Sequence, residues 1–284
     1  MLEVETPLLC SAGVTDAALE PFVVADRGGD RYLQTSPEYA MKRLLAAGSG
    51  DIFQICKAFR SGEVGRRHNP EYSLLEWYRL NMTHHELIRE VAELVSLVLG
   101  RTGWEVWPYR TLMLEVVGID VFLASKDALE AVVQEHVNDI PEGLTRDGLL
   151  DVLMTHVVEP AIADRGVVFI VDYPATQAAL ARVVSIDAHA VGCRFECYVD
   201  GVELANGYWE EQDSAILAQR FHRDAEMRRE QGLPTRPVDQ RLLAAQVAGL
   251  PQCSGVALGV DRLLALQLQR THLSSVISFD WSCS

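Results

Sequence analysis

The stretch from Cys253 to Arg262 constrains the fold of this chain more than any other part of the sequence. In an extended segment every second side chain faces the same way, so Gly255, Ala257 and Gly259 leave one face almost bare. The apolar residues between them form the other face, which predicts a buried strand. A bare face suits a flat ligand, but it equally suits a helix packed on the strand. Arg262 falls in the first turn of the next predicted helix, where a cation opposes the helix dipole, and this placement makes sense if the guanidinium binds a ligand.

Composition limits the kind of protein that carries this strand. The 284 residues are 49% apolar and 23% charged, as expected of a globular protein with a sizeable core. The formal net charge of −15 disfavours extensive nucleic-acid binding and suits carboxylates that recognise a cationic substrate. No apolar run approaches the roughly 20 residues of a membrane span, the N-terminus lacks signal-peptide features, and the six cysteines are scattered. We therefore expect a cytoplasmic protein with reduced thiols and no membrane partner.

Two predicted strands, 51–59 and 71–78, flank the polar loop 60–70. On the second strand a period of two places Tyr72 and Leu74 on the same face as Glu76 and Tyr78. An aromatic ring there can stack on a base, and a carboxylate with a phenol can bind an ammonium group. An amphipathic edge hairpin with a solvated loop is the alternative. The loop suits an anion such as a triphosphate, because it concentrates four basic side chains, namely Arg60, Arg66, Arg67 and His68.

A second hairpin is predicted across Asp200 and Gly201, a strong turn signal. Its second strand carries Glu203 and Glu210, whose carboxylates can hold Mg²⁺ because hard cations take oxygen ligands. Residues seven apart in a regular strand face opposite ways. We therefore expect a bulge at Asn206-Gly207 to bring the two carboxylates to one face.

Helices alternate with these strands. Ser36 is a plausible N-cap, with Pro37 at the first helical position, and a capping role is the structural alternative to a functional one for Ser36. A capping-box pattern at Thr83 and Glu86 begins a further helix. The predicted helices beyond Ser36 are 83–99, 126–136, 146–158, 214–231 and 238–247.

Four separated segments match one family in order. Together they resemble the catalytic domain of class II lysyl-tRNA synthetases, and more closely the short bacterial paralogues that ligate (R)-β-lysine to elongation factor P. The resemblance runs from Leu2 along nearly the whole chain. It implies an α+β fold, a class II aminoacyl-tRNA synthetase catalytic domain with an antiparallel β-sheet flanked by helices, as a single domain over 1–284. It also implies ATP, Mg²⁺ and an aminoacyl-adenylate. The matching segments are Ser36-Pro37-Glu38, Phe59-Arg60 with His68 to Tyr72 and Glu76-Trp77-Tyr78, Glu203 to Gly207, and Gly255 to Arg262.

The resemblance assigns a role to each matching residue. Arg60 holds the α-phosphate, Tyr72 and Arg262 sandwich the adenine, and Arg60 and Arg262 are the catalytic pair. The further ATP-binding residues are Gly62, His68, Asn69, Glu203, Leu204 and Gly259, with Glu203 and Glu210 as the metal ligands. The substrate-binding residues are Ser36, Pro37, Glu38, Glu76, Tyr78, Asn206, Glu210 and Ala257.

Within the substrate set, Glu76 and Tyr78 read the side-chain ammonium group. Glu38 and Asn206 bind the other amino group and the carboxylate. Glu210 serves either the metal or the substrate amine.

Several features separate the chain from the tRNA synthetases. Ala257 stands where those enzymes usually have Gly, and its methyl group crowds an α-amino group while tolerating an amine on the β carbon. The resemblance also predicts a homodimer that acts on elongation factor P with (R)-β-lysine or lysine, and tRNA is disfavoured as acceptor because we find no anticodon-binding domain. The family's helix before Leu2 is expected to be missing, and Gly62 replaces a family glutamate. The alternatives are a lysine-activating enzyme with tRNA or another acceptor, and a non-catalytic lysine- or nucleotide-binding paralogue.

Overall fold

The computed structural model describes residues 1–138, 140–141 and 143–284. Their contacts form two compact units, Met1–Thr83 with Glu211–Ser284 and His84–Glu210, and each is described by itself. The single domain over 1–284 stays a prediction. The described strands are β1 (Leu2–Glu3), β2 (Leu9–Cys10), β3 (Val23–Val24), β4 (Arg31–Leu33), β5 (Ile52–Phe59), β6 (Glu71–Leu80), β7 (Glu105–Pro108), β8 (Val167–Pro174), β9 (Val183–Ile186), β10 (His189–Val199), β11 (Val202–Trp209) and β12 (Cys253–Gly259). The described α-helices are α1 (Glu38–Ala46), α2 (His84–Leu99), α3 (Tyr109–Val116), α4 (Lys126–His136), α5 (Arg146–Leu153), α6 (Glu159–Ala161), α7 (Ser214–Glu230), α8 (Gln240–Gly249) and α9 (Val260–Gln267).

In the first unit β5, β6 and β12 form an antiparallel sheet, to which β1 adds in parallel beside β5. Helix α1 buries Met41 and Leu45 in one cluster with Ile52 of β5 and Tyr78 of β6. Strands β2, β4 and β3 make a separate small sheet. The sheet therefore carries both the predicted hairpin and the bare strand.

The first predicted strand is shorter than the sequence indicated. An alternating pattern suggested extended pairing up to Pro7, but β1 ends at Glu3, which pairs with Phe53. Strand β1 pairs only with β5 in the described sheet. Pairing does not extend to Pro7, because proline has no N–H to donate to a β-ladder.

In the second unit the strand order is β11-β10-β8-β7, and β9 also pairs with β10. Asp200 and Gly201 have φ of 50° and 70°, the left-handed pair that a type I′ hairpin turn requires, so the predicted turn is confirmed. Helices α3, α4 and α5 pack their apolar residues against β8 in one core cluster.

The predicted helices are confirmed with small shifts at their ends. Helix α5 continues from Leu153 into one π-helical turn, Met154–Val158, so the predicted segment 146–158 is helical but not uniformly α. Within the described part of the chain, no helix combines the length and the apolar character needed to cross a membrane.

Candidate active site

A buried carboxylate lies in the middle of β6. Glu76 and Tyr78 are each 2% exposed. The Tyr78 hydroxyl donates to Glu76 Oε1 at 2.7 Å, and the Ser36 hydroxyl donates to Glu76 Oε2 at 2.7 Å. These two donors are neutral hydroxyl groups, and a carboxylate oxygen can accept more than one hydrogen bond. The arrangement suits a cationic ligand, because a buried charge is stabilised most by a partner of opposite charge.

The bare face of β12 lies beside this carboxylate. Ala257 is directly opposite Glu76, and Gly255 is opposite Tyr78. Residues directly opposite each other in an antiparallel pair project from the same face of the sheet. Leu258, on the other face of β12, is fully buried. The predicted division of β12 into a bare and an apolar face is therefore confirmed.

The segment before α1 connects the helix to the carboxylate. The Ser36 hydroxyl accepts a hydrogen bond from the Glu38 N–H at 3.0 Å while it donates to Glu76, but Ser36 is not the N-cap residue that the sequence predicted. Pro37 occupies the N-cap position and not the first helical position, because the helix begins one residue later than predicted.

The Glu38 carboxylate has a partner that sequence reasoning missed. Lys42 Nζ donates to Glu38 Oε1 at 2.7 Å, and the Lys42 side chain is 1% exposed. The spacing of four residues on a helix was the available signal. The carboxylate offsets the charge of a buried lysine, and the role of Glu38 toward a substrate amino group stays a prediction.

In the loop after β5, Arg60 lies over an aromatic ring. Its guanidinium carbon is 5.3 Å from the centre of the Tyr72 ring, and Arg60 Nη1 is 3.7 Å from Glu63 Oε1. Gly62 has φ of 83°, a conformation that glycine adopts without strain. The turn at Gly62 thus brings the displaced carboxylate of Glu63 to Arg60. Burial raises the pKa of Tyr72 to about 12.

Arg262 contacts the same loop from the start of α9. Its Nε donates to the Arg67 carbonyl at 3.2 Å, and its Nη2 lies 2.8 Å from His68 Nε2. A Cβ at Gly259 would lie 3.7 Å from the Arg262 side chain, which is ordinary contact. The structure therefore brings together Arg60, Tyr72, His68 and Arg262 around the loop, and the adenine sandwich of Tyr72 and Arg262 stays a prediction.

Asn69 has a structural role in this loop. Its side-chain amide donates to the Glu71 carbonyl at 2.6 Å, and its Oδ1 accepts from the Trp281 N–H at 2.9 Å. These bonds join the loop to the C-terminal segment, so they shape the basic site irrespective of any contact with a nucleotide.

The second unit carries the other predicted residues, on β11. The register with β10 passes from Ala205 opposite Cys197 to Glu203 opposite Tyr198, which leaves Leu204 as the extra residue of a bulge. The bulge predicted at Asn206-Gly207 is therefore misplaced, because those two residues pair regularly with β10.

The bulge at Leu204 nevertheless brings two of the predicted residues, Glu203 and Asn206, to one face, whereas the convergence of Glu203 with Glu210 stays a prediction. Glu203 is opposite Tyr198 and Asn206 is opposite Glu196, and Tyr198 and Glu196 share one face of β10 because they are two residues apart. Glu203 and Asn206 consequently share that face. Glu210 follows in the extended segment beyond β11 and is 1% exposed. The two carboxylates supply the oxygen ligands that Mg²⁺ prefers.

A buried network holds Asn206, and the sequence analysis missed it. Arg194 Nε donates to Asn206 Oδ1 at 3.3 Å, and Arg194 forms an ion pair with Glu196. The hydroxyls of Tyr173 and Tyr198 each donate to Glu196 Oε2 at 2.6 Å. Burial raises the pKa of both tyrosines, which keeps them protonated as donors. The signal was the alternation of Arg194, Glu196 and Tyr198 along one strand.

Comparison with known proteins places the chain in a family. The model of class II tRNA synthetases (D, K and N) matches residues 1–281. The elongation factor P–(R)-β-lysine ligase of Mannheimia succiniciproducens is 46% identical over 285 residues, which cover 98% of this chain and 88% of that protein. The protein of the same name from Histophilus somni is 46% identical over 290 residues, which cover 100% of this chain and 90% of that protein. That of Pectobacterium atrosepticum is 47% identical over 287 residues, covering 98% and 88%.

The family match agrees with the predicted α+β fold, in which both units contain antiparallel strands flanked by helices. Since the family model and these relatives cover almost all of the sequence, the chain belongs to the class II tRNA synthetases of the D, K and N group, together with the elongation factor P–(R)-β-lysine ligases.

Proposed function

We propose that this protein is an ATP-dependent ligase that activates (R)-β-lysine as an aminoacyl-adenylate and transfers it to the ε-amine of a lysine on elongation factor P. The names of the relatives support the reaction and the acceptor. The observation that carries the proposal is the Glu76 carboxylate. It is 2% exposed, accepts hydrogen bonds from Tyr78 and Ser36, and lies beside the bare face of β12.

The geometry around Glu76 supports selection of a terminal ammonium group. The Ala257 methyl is opposite Glu76 on the same face, so a substrate lying along β12 passes this methyl as its ammonium group reaches the carboxylate. One methyl group typically changes discrimination between close analogues by about 1–3 kcal/mol. We infer a preference for the β-amino isomer over L-lysine.

The first step joins the substrate carboxylate to the nucleotide. A carboxylate oxygen attacks the α-phosphorus of ATP, the bond from that phosphorus to the bridging oxygen breaks, and pyrophosphate leaves. Arg60 would stabilise the charge that develops on the α-phosphate, and the Tyr72 ring, now covered by the Arg60 guanidinium, would stack on the adenine. Arg262 would stack on the other side of the base, with His68 close to the phosphates.

The carboxylates of the second unit suit the metal that accompanies ATP. Glu203 and Glu210 would hold Mg²⁺, which when bound neutralises phosphate charge. Asn206, held by Arg194, would orient the substrate carboxylate. No general base is required in this step, because the attacking group is already ionised.

The second step forms the amide bond. The ε-amine of the acceptor lysine attacks the carbonyl carbon of the adenylate, the bond to the phosphate oxygen breaks, and AMP leaves while the amine loses a proton. We further propose that the enzyme acts as a homodimer in the cytoplasm and does not charge tRNA. Light scattering tests the homodimer, and a tRNA-charging assay tests whether tRNA is an acceptor.

ATP–pyrophosphate exchange tests the proposed activity. The full-length protein is assayed with (R)-β-lysine, with L-lysine and without an amino acid. We expect exchange that (R)-β-lysine stimulates most, followed by incorporation into purified elongation factor P. Preference for L-lysine with transfer to tRNA would support a lysine-activating enzyme instead. A folded protein that binds lysine or ATP but shows no exchange would be a binding paralogue.

A further inference from the structure

Two adjacent histidines at the start of α2 lie beside an aspartate of β8, within the second unit. His84 is 4% exposed, His85 is exposed and Asp172 is half-buried. One ligand atom of each side chain lies within 4.8 Å of the other two, and the centroids of the two imidazole rings are 4.0 Å apart. None of these residues belongs to the proposed ligase site.

His84 is unusual for a buried polar side chain. Among the described residues, neither of its ring nitrogens has a hydrogen-bond partner, whereas buried polar atoms in proteins are normally paired. Leaving such a group unsatisfied destabilises the folded state. A buried ring with unpaired nitrogens offers a lone pair to a ligand such as a metal ion.

The surroundings hold the His84 ring in place. The Trp209 ring stacks on it with centroids 6.3 Å apart and an interplanar angle of 22°. The guanidinium carbon of Arg182 lies over Trp209, 4.6 Å from the centre of its ring. A ring fixed by packing keeps its unpaired nitrogens pointing in constant directions, as a metal ligand requires.

The backbone of β8 brings the carboxylate to the histidines. Asp172 has φ of 59°, and the register between β8 and β10 shifts between Gly192 and Phe195 at the level of this residue. The extra residue of this bulge is on β10, and on β8 it is the left-handed φ of Asp172 that departs from regular strand geometry.

We propose that His84, His85 and Asp172 form a binding site for a transition-metal ion of the Zn²⁺ class. Two imidazoles and one carboxylate suit Zn²⁺, Co²⁺ or Ni²⁺, whereas Mg²⁺ prefers oxygen ligands. Ligands about 2.1 Å from a tetrahedral ion lie about 3.4 Å apart. The three ligand atoms lie within 4.8 Å of one another, and rotation of the exposed His85 side chain can bring them to the shorter spacing. Water completes the coordination.

The metal would join the first turn of α2 to β8, and it would satisfy a buried histidine nitrogen. Its expected effect is therefore on the stability of the second unit. The inference does not depend on the proposed ligase activity, because binding and stability are measured without substrates.

Cobalt titration tests the site directly. Untagged full-length protein is freed of metal and titrated with Co²⁺ in excess Mg²⁺, so that oxygen-only sites are occupied. We expect one equivalent of Co²⁺ to give a visible d–d absorption, and Zn²⁺ to abolish it by displacement. The variants His85→Ala and Asp172→Asn, which alter side chains at the accessible rim, should each weaken Co²⁺ binding at least about tenfold.

A matched control separates this site from adventitious binding. His136→Ala removes an exposed histidine of α4 in the same unit and should bind Co²⁺ as the wild type does. Zn²⁺ should raise the melting temperature of the wild type and of His136→Ala, but not of His85→Ala or Asp172→Asn. The proposal is overturned if the wild type takes up no stoichiometric Co²⁺, or if His85→Ala and Asp172→Asn bind it as tightly as the wild type.

Discussion

The Glu76→Gln substitution tests the central feature of the proposed site. Glutamine has the shape of glutamate, so the hydrogen bonds from Ser36 and Tyr78 can persist while the negative charge is lost. Glu76 is 2% exposed, and glutamine fills nearly the same volume, so the substitution leaves no cavity in the core. We therefore expect a folded protein with a changed substrate affinity.

The size of the effect follows from the burial. Loss of one partner of a buried, hydrogen-bonded charge pair costs about 2–5 kcal/mol, so we take about 3 kcal/mol. At 1.36 kcal/mol for each factor of ten, kcat/KM for (R)-β-lysine should fall roughly 150-fold. Tyr78→Phe removes one neutral donor worth about 1 kcal/mol and should reduce kcat/KM only about fivefold.

Pyrophosphate exchange at varied amino-acid concentration measures these ratios. Glu71→Gln is the matched control, because Glu71 is on the same strand but exposed, and it should behave as the wild type. Thermal unfolding of each variant shows whether the protein remains folded. If Glu76→Gln retains kcat/KM within twofold, or loses as much activity as it loses folded protein, the ammonium-binding role of Glu76 is wrong.

Three further predictions follow from single contacts. Ala257→Gly, which removes the methyl opposite Glu76, should raise kcat/KM for L-lysine relative to (R)-β-lysine about tenfold in the exchange assay; an unchanged ratio would refute the steric argument. Gly201→Ala should lower the free energy of unfolding by about 3 kcal/mol in urea titration, because φ is 70° and the added Cβ would lie 2.4 Å from the Glu159 carbonyl oxygen; a loss under 1 kcal/mol would contradict this. The pKa of His84 is about 3 in the folded state, against 6.5 for an ordinary histidine. Below pH 6.5 the unfolded state therefore binds more protons than the folded state, and the free energy of unfolding decreases as the pH is lowered. Between pH 7 and pH 5, in a metal chelator, the wild type should lose about 2 kcal/mol more than His84→Phe does; equal losses would mean that His84 titrates normally.

Much of the first unit was predictable because its site depends on strand periodicity. Tyr78 and Glu76 share a face of β6 by spacing alone, and the small residues of β12 share one likewise. Their adjacency required only that these two strands pair. The resemblance implied an antiparallel sheet, but the pairing of β6 with β12 was not predicted and is seen in their register.

The errors arose where long-range pairing determines local geometry. The bulge is at Leu204 because β10 pairs regularly with Asn206, and a sequence pattern that favours Gly as the bulge residue cannot detect which residue the partner strand skips. The buried charges of Lys42 and Arg194 were missed for a different reason: each has a carboxylate partner close in sequence, but tertiary packing decides that the pair is buried.

Local periodicity and ordered motifs were enough to predict which side chains share a face on β6 and β12, where most of the helices lie, and which family the chain resembles. Three contacts are seen only in the folded chain: Arg60 lies over Tyr72, Ser36 reaches Glu76, and Asp172 lies beside His84 and His85. These contacts join residues that are separated by 12 to 88 positions in the numbering. Their formation depends on the register between strands and on packing, which no single segment specifies.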